Sequence, residues 1–208
     1  MRRSLLAIGV LLLTAAVCLS AADKKKNATI YVRAGQTADL AVPKLVAARQ
    51  KCENWAVAAG LEAMLSSQDV MLDQAFWVIR LNRGELCRTE IPSMEALAEV
   101  VNHEFVLDDG RHVRLQLQFL PGPPTNLDTI IAGIQQQQLS LLFLRGHAYY
   151  LTGVTYDEHI SANGGRMFVT RELRLADTFS GNAKLTFVNG EDNTEDISGT
   201  LELSVTWL

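Results

Sequence analysis

Three residues in this chain have the right types and placement for nucleophilic chemistry. Cys52 stands at the amino end of an apolar stretch, His147 follows a glycine at the start of a strand-like run, and Asp177 ends the next such run just before a turn. A thiol at the amino end of a helix sees unpaired backbone N–H groups and the positive end of the helix dipole, and both favour thiolate. An acceptor such as Asp177 can hold an imidazole by one nitrogen while the other nitrogen faces the thiol. The three lie far apart in sequence, so helix and strands must converge to bring them together.

From Gln50 to Leu65, Val57, Leu61, Met64 and Leu65 share one helical face and Ala56, Ala59 and Ala63 the next, with Glu62 the only charge after Glu53. That pattern predicts a buried helix with Cys52 at its open end. A weakly alternating stretch from Ala28 to Val42, turning at Gly35-Gln36, predicts a short β arm before it. A second helix is expected over Val70 to Leu81, capped by Ser67 or Asp69 and stopping near Gly84, and a third opens at Ile91-Pro92-Ser93. The period then changes to two. Phe105-Val106-Leu107, the turn Asp108-Asp109-Gly110 and the alternating Val113, Leu115, Leu117 and Phe119 predict a β-hairpin. A helix capped by Thr125 or Asn126 follows over Leu127 to Gln137. From Leu139 onward the chain reads as strands, with turns at Asp157-Glu158, Asn163-Gly164-Gly165, Ser180-Gly181-Asn182 and Asn189-Gly190-Glu191-Asp192. Helices first and an antiparallel sheet second predict an α+β fold. If the strands after His147 and before Asp177 pair through the loop at Asn163-Gly164-Gly165, both side chains arrive at the same sheet edge.

Arg2 and Arg3, the uncharged run Leu5 to Val17 and the small residues Ser20-Ala21-Ala22 read as a secretory signal peptide over 1–22, cleaved near Ala22. Cys18 raises a lipoprotein alternative, against which the large Val17 just before it speaks. About 185 residues, 23–208, remain for a single domain in a secreted or periplasmic setting. No later apolar run is long enough for stable membrane insertion. A net charge of −4 with no basic stripe disfavours a nucleic-acid partner. His103, His112 and His159 show no zinc-site spacing, and neither a metal nor an organic cofactor is expected. Loss of the leader leaves Cys52 and Cys87, which an oxidising compartment would invite to pair.

The chain resembles the papain-like cysteine peptidases, and within them the C39-like group. Cys52-Glu53 through Met64-Leu65 is similar to that group's helix of small residues opened by Cys-Glu. Gly146-His147 through Thr152-Gly153 is similar to its Gly-His-aromatic strand, and Ala176-Asp177 to its strand end. The resemblance implies a papain-like fold, in which a helical half with the buried cysteine helix packs on a carboxyl-terminal antiparallel sheet. It implies Cys52 as nucleophile, His147 as general base and then acid, and Asp177 as the orienting group. It implies an exported cysteine peptidase or related amidase that cuts a peptide or protein substrate through a thioester, with the Cys52 backbone N–H or the Gln50 side chain as oxyanion donor. Asn54 and Trp55 would wall the cleft. A second register is open. Asn54-Trp55-Ala56 is similar to the Cys-Trp-Ala of papain with asparagine in the nucleophile's place, which implies a Cys52–Cys87 disulfide and an inactive binding module.

Overall fold

The computed structural model describes residues 29–41, 50–82, 87, 93–124, 127–179, 185–189 and 196–208. The expected leader 1–22 with its cleavage point near Ala22, the helix stop at Gly84, the cap at Thr125 or Asn126, and the turns at Ser180-Gly181-Asn182 and Gly190-Glu191-Asp192 lie outside these residues. The described chain is α+β, with helices concentrated in the first half and an antiparallel sheet in the second.

Helix α1 spans Ala56–Ser66 and buries Val57, Leu61, Met64 and Leu65 together with Ala59 and Ala63, as an all-round apolar helix must. Ser67 closes it. Its N–H reaches the Ala63 and Leu65 carbonyls, and its hydroxyl donates to the Met64 carbonyl at 2.7 Å. The second helix therefore does not begin at Val70 as expected, because Ser67 is spent on α1 and Asp69 holds φ +62°, outside helical geometry. Helix α2 runs Gln74–Asn82, and Asp73 is the cap, its carboxylate accepting the Phe76 N–H at 2.9 Å. Helix α3, Met94–Val101, is capped by Ser93, whose hydroxyl accepts the Ala96 N–H at 3.1 Å.

The described residues fall into two compact units, one of those within 29–36 and 156–169 and one of those within 37–155 and 170–208. In the larger unit the expected hairpin is present as β2, Glu104–Val106, and β3, His112–Pro121, in antiparallel register with Phe105 opposite Val113. Helix α4, Leu127–Gln135, precedes β4, Ser140–Leu144. Three strands are longer than their apolar cores: β5, His147–Ser161, β6, Arg166–Asp177, and β8, Ile197–Trp207. With β7, Leu185–Asn189, the sheet order is β2-β3-β8-β4-β5-β6-β7, and β1, Thr29–Asp39, pairs with β5. The last strand thus enters between β3 and β4, antiparallel to both. Leu141 to Leu144 are all buried, so β4 lies at the centre with both faces covered.

In the smaller unit the β5–β6 turn forms where the glycines predicted it, the Gly164 N–H reaching the Ser161 carbonyl at 3.0 Å and the Ser161 N–H the Gly165 carbonyl at 2.9 Å. Asp157-Glu158, expected as a turn, instead lies inside β5, both residues being 5% exposed. Buried carboxylates need partners. Asp157 accepts the Gly35 N–H at 2.9 Å, and Glu158 pairs with Arg33 at 3.2 Å and Arg166 at 3.3 Å. Tyr156 and Phe168 pack edge to face at 5.5 Å.

Candidate functional site

The candidate site lies in the larger unit, where the turn before α1 meets the ends of β5 and β6. His147 gets there through a two-residue turn. Arg145 at φ +50° and Gly146 at φ +78° join β4 to β5, with Leu144 opposite His147. Positive φ at both central residues suits a two-residue hairpin, and glycine supplies one of them without strain. Arg145 is held in that conformation by Asp196, its Nε 2.7 Å from the carboxylate and its N–H 3.0 Å from the carbonyl. His147 consequently starts β5 exposed at the sheet's end.

Gln50, Lys51, Cys52, Glu53 and Asn54 form an irregular turn, and α1 begins only at Ala56 with Trp55 at the N-cap. The expectation that Cys52 opens the helix is corrected here. Its carbonyl accepts the Trp55 N–H at 3.0 Å, and its sulfur is bonded to Cys87, 35 positions along. The turn is fixed by contacts distant in sequence. The Gln50 N–H donates to the Thr178 carbonyl at 3.1 Å, and the Thr178 hydroxyl lies 3.2 Å from Gln50 Oε1. Gln50 Nε2 donates to the Cys52 carbonyl at 2.6 Å and also to the Glu53 carbonyl. Both amide hydrogens of Gln50 are therefore directed into its own turn, which leaves none for an oxyanion.

A cleft of about 820 Å3 opens between this turn and the strand ends. Glu53, Asn54, His147, Tyr149, Asp177 and Phe179 give it its side-chain chemistry, with Gln50, Thr178 and the start of α1 behind them. The volume is within the usual range for ligand sites, about 300 to 1,000 Å3. His147, Asp177, Gln50 and Asn54 are thus brought together, whereas Cys52 and Trp55 are not among the lining residues. Trp55 is buried, and among the described residues its indole N–H has no hydrogen-bond partner. Asp177 uses one carboxylate oxygen to accept the Phe179 N–H at 2.8 Å, and among the described residues no hydrogen bond joins it to His147. The acidic and basic side chains lining the cleft are Glu53, Asp177 and His147, and no lysine or arginine is among them.

Behind the cleft, burial pushes the Tyr150 phenol well above its ordinary value, and the carboxylates of Glu62 and Asp177 push the same way. Tyr150 therefore stays protonated at neutral pH. Gln74, fully buried, links this layer to the turn: its Oε1 accepts the Lys51 N–H at 3.0 Å and its Nε2 donates to Glu62 at 2.6 Å. Replacing Gln74 with leucine would leave both partners unanswered, at a cost of about 1 to 3 kcal/mol. Urea unfolding should show that loss as a lower midpoint at unchanged slope. Among the described residues no group of three histidine, cysteine, aspartate or glutamate side chains is arranged to hold a metal ion.

Gln74 and Thr178 were missed by sequence reasoning, because a glutamine opening a helix and a threonine in a turn carry no local signal of a distant partner. Compared with models of known protein families and with curated proteins, the chain matches none.

Proposed function

We propose that this chain is an exported, papain-like module that binds an extended peptide segment in the cleft without cutting it. One observation carries the reading: Cys52 is bonded to Cys87 while Asn54 lines the cleft with His147. A thioester needs a thiolate, and a disulfide sulfur supplies none. The carboxamide of Asn54 can donate to and accept from a peptide backbone, which suits holding rather than attacking it. Export is supported by the charged-then-apolar amino terminus and by a disulfide, which persists in oxidising compartments. Among the described residues no helix is long and apolar enough to cross a membrane.

The acidic lining favours neutral or basic segments, and Phe179 at the rim, 54% exposed, offers apolar contact. Fluorescence polarisation with labelled peptides should show lysine-containing sequences bound at least about tenfold more tightly than their glutamate counterparts, a gap of about 1.4 kcal/mol. Mass spectrometry of the same mixtures should recover the peptides intact. Hydrolysis by the oxidised protein, or equal affinity for both charge types, would overturn the proposal.

The shared location of His147 and Asp177 favours one other reading, a peptidase that acts only when Cys52 is reduced. Turnover that requires dithiothreitol and is lost in both Cys52→Ala and His147→Ala would establish it.

A further inference from the structure

A second cavity, of about 270 Å3, lies on the other side of the sheet, between α4 and the outward face of β3 and β8. Register places Gln118 opposite Glu202 and Gln116 opposite Ser204, all four alternating with the inward leucines of these strands. Ile130 and Leu139 add apolar wall. Among the described residues the side chains of Gln116, Gln118 and Glu202 make no hydrogen bond or ion pair, although Glu202 is half-buried. Arg114, two residues along the same face, is taken up by Glu104 at 2.5 Å and does not answer Glu202. A half-buried carboxylate without a cation is costly, and burial holds this one above the ordinary carboxylate range. Each neighbouring carboxamide offers two donors and an acceptor.

We propose that this cavity binds a monosaccharide-sized molecule bearing one primary ammonium group, an amino sugar or amino polyol. The ammonium pairs with Glu202, hydroxyls bridge Gln116 and Gln118, and the C–H face of the ring lies against Ile130 and Leu139. The size limits the occupant to a single ring, since the cavity falls just below the usual range, about 300 to 1,000 Å3, for ligand sites. This site is separate from the cleft, so its occupancy does not depend on whether the cleft binds peptide.

NMR titration of the full-length chain with glucosamine, glucose and methylammonium at matched ionic strength tests it. Glucosamine should shift the Gln116, Gln118 and Glu202 amides at about millimolar affinity and leave the His147 region unmoved. Glucose and methylammonium should each bind at least about tenfold more weakly, and Glu202→Gln should lose about tenfold for glucosamine. Gln118→Leu should weaken glucosamine while leaving methylammonium unchanged. No shifts, equal affinity for glucose, equal affinity for methylammonium, or full glucosamine binding by Glu202→Gln would each overturn the assignment.

Discussion

Replacing both Cys52 and Cys87 with serine is expected to cost about 4 kcal/mol, a large share of the total stability of a chain this size. The bridge spans 35 positions, and a closed loop of that length removes chain entropy from the unfolded state equivalent to about 3.8 kcal/mol at 25 °C. Thermal unfolding should fall by roughly 8 to 16 °C for a protein of this length. The same variant separates the two functional readings. A binding module should still take up its peptides, more weakly in proportion to any loosening of the turn at Gln50 to Asn54, because no proposed contact uses sulfur. A reduction-activated peptidase should lose all turnover. A double variant as stable as the parent would show that the Cys52–Cys87 bond does not hold the protein in solution.

What the residue order revealed was decided locally. Helix α1 was legible because Val57, Leu61, Met64 and Leu65 repeat at the helical period, and the β2–β3 hairpin because Val113, Leu115 and Leu117 alternate behind a turn glycine. Misplaced features were those set by distant partners. Asp157-Glu158 has a turn's composition, but Arg33, Arg166 and the Gly35 N–H allow it to sit inside a strand. The position of β8 between β3 and β4 has no signature in β8 itself, since any strand with one apolar face could pair there.

The site was legible in its residue types and less so in its geometry. His147 and Asp177 could be placed at one end of the sheet from the glycine turns on either side of β5. The start of α1 could not be placed, because the grip of Thr178 on Gln50 and the bridge to Cys87 hold residues 50–54 out of the helix. Moving the helix start from Cys52 to Ala56 takes the cysteine out of the cleft lining and leaves Asn54 there. A displacement of this size changes which chemistry the cleft wall can offer while leaving the fold class untouched. Chemistry depends on ångströms, and periodicity resolves only turns.

Gly60→Val should be the most damaging single substitution in the helix that backs the cleft, costing about 3 kcal/mol or more. A Cβ built on Gly60 falls 2.8 Å from both Cγ and Cδ2 of Leu141 and closer still to Cδ1, so α1 meets β4 with no room for a side chain. Leu141 cannot yield easily, being fully buried at the centre of the sheet. Overpacking a close-packed interior costs about 1 to 3 kcal/mol for added methylenes, and valine brings three carbons to a site that holds none. Its better helix propensity returns only a few tenths of a kcal/mol relative to glycine. The cost should be relieved by the partner. Leu141→Ala alone opens a cavity worth about 2 to 5 kcal/mol, but in the Gly60→Val background the valine fills that space, so the double variant should be far more stable than the sum of the singles implies. Urea unfolding of the four proteins gives the coupling directly, and additive losses would mean that α1 and β4 do not meet at Gly60. Under the binding reading, peptide affinity should follow the same contact: α1 carries Ala56 and Val57 at the cleft wall, so Gly60→Val should also weaken binding, and Leu141→Ala should restore it.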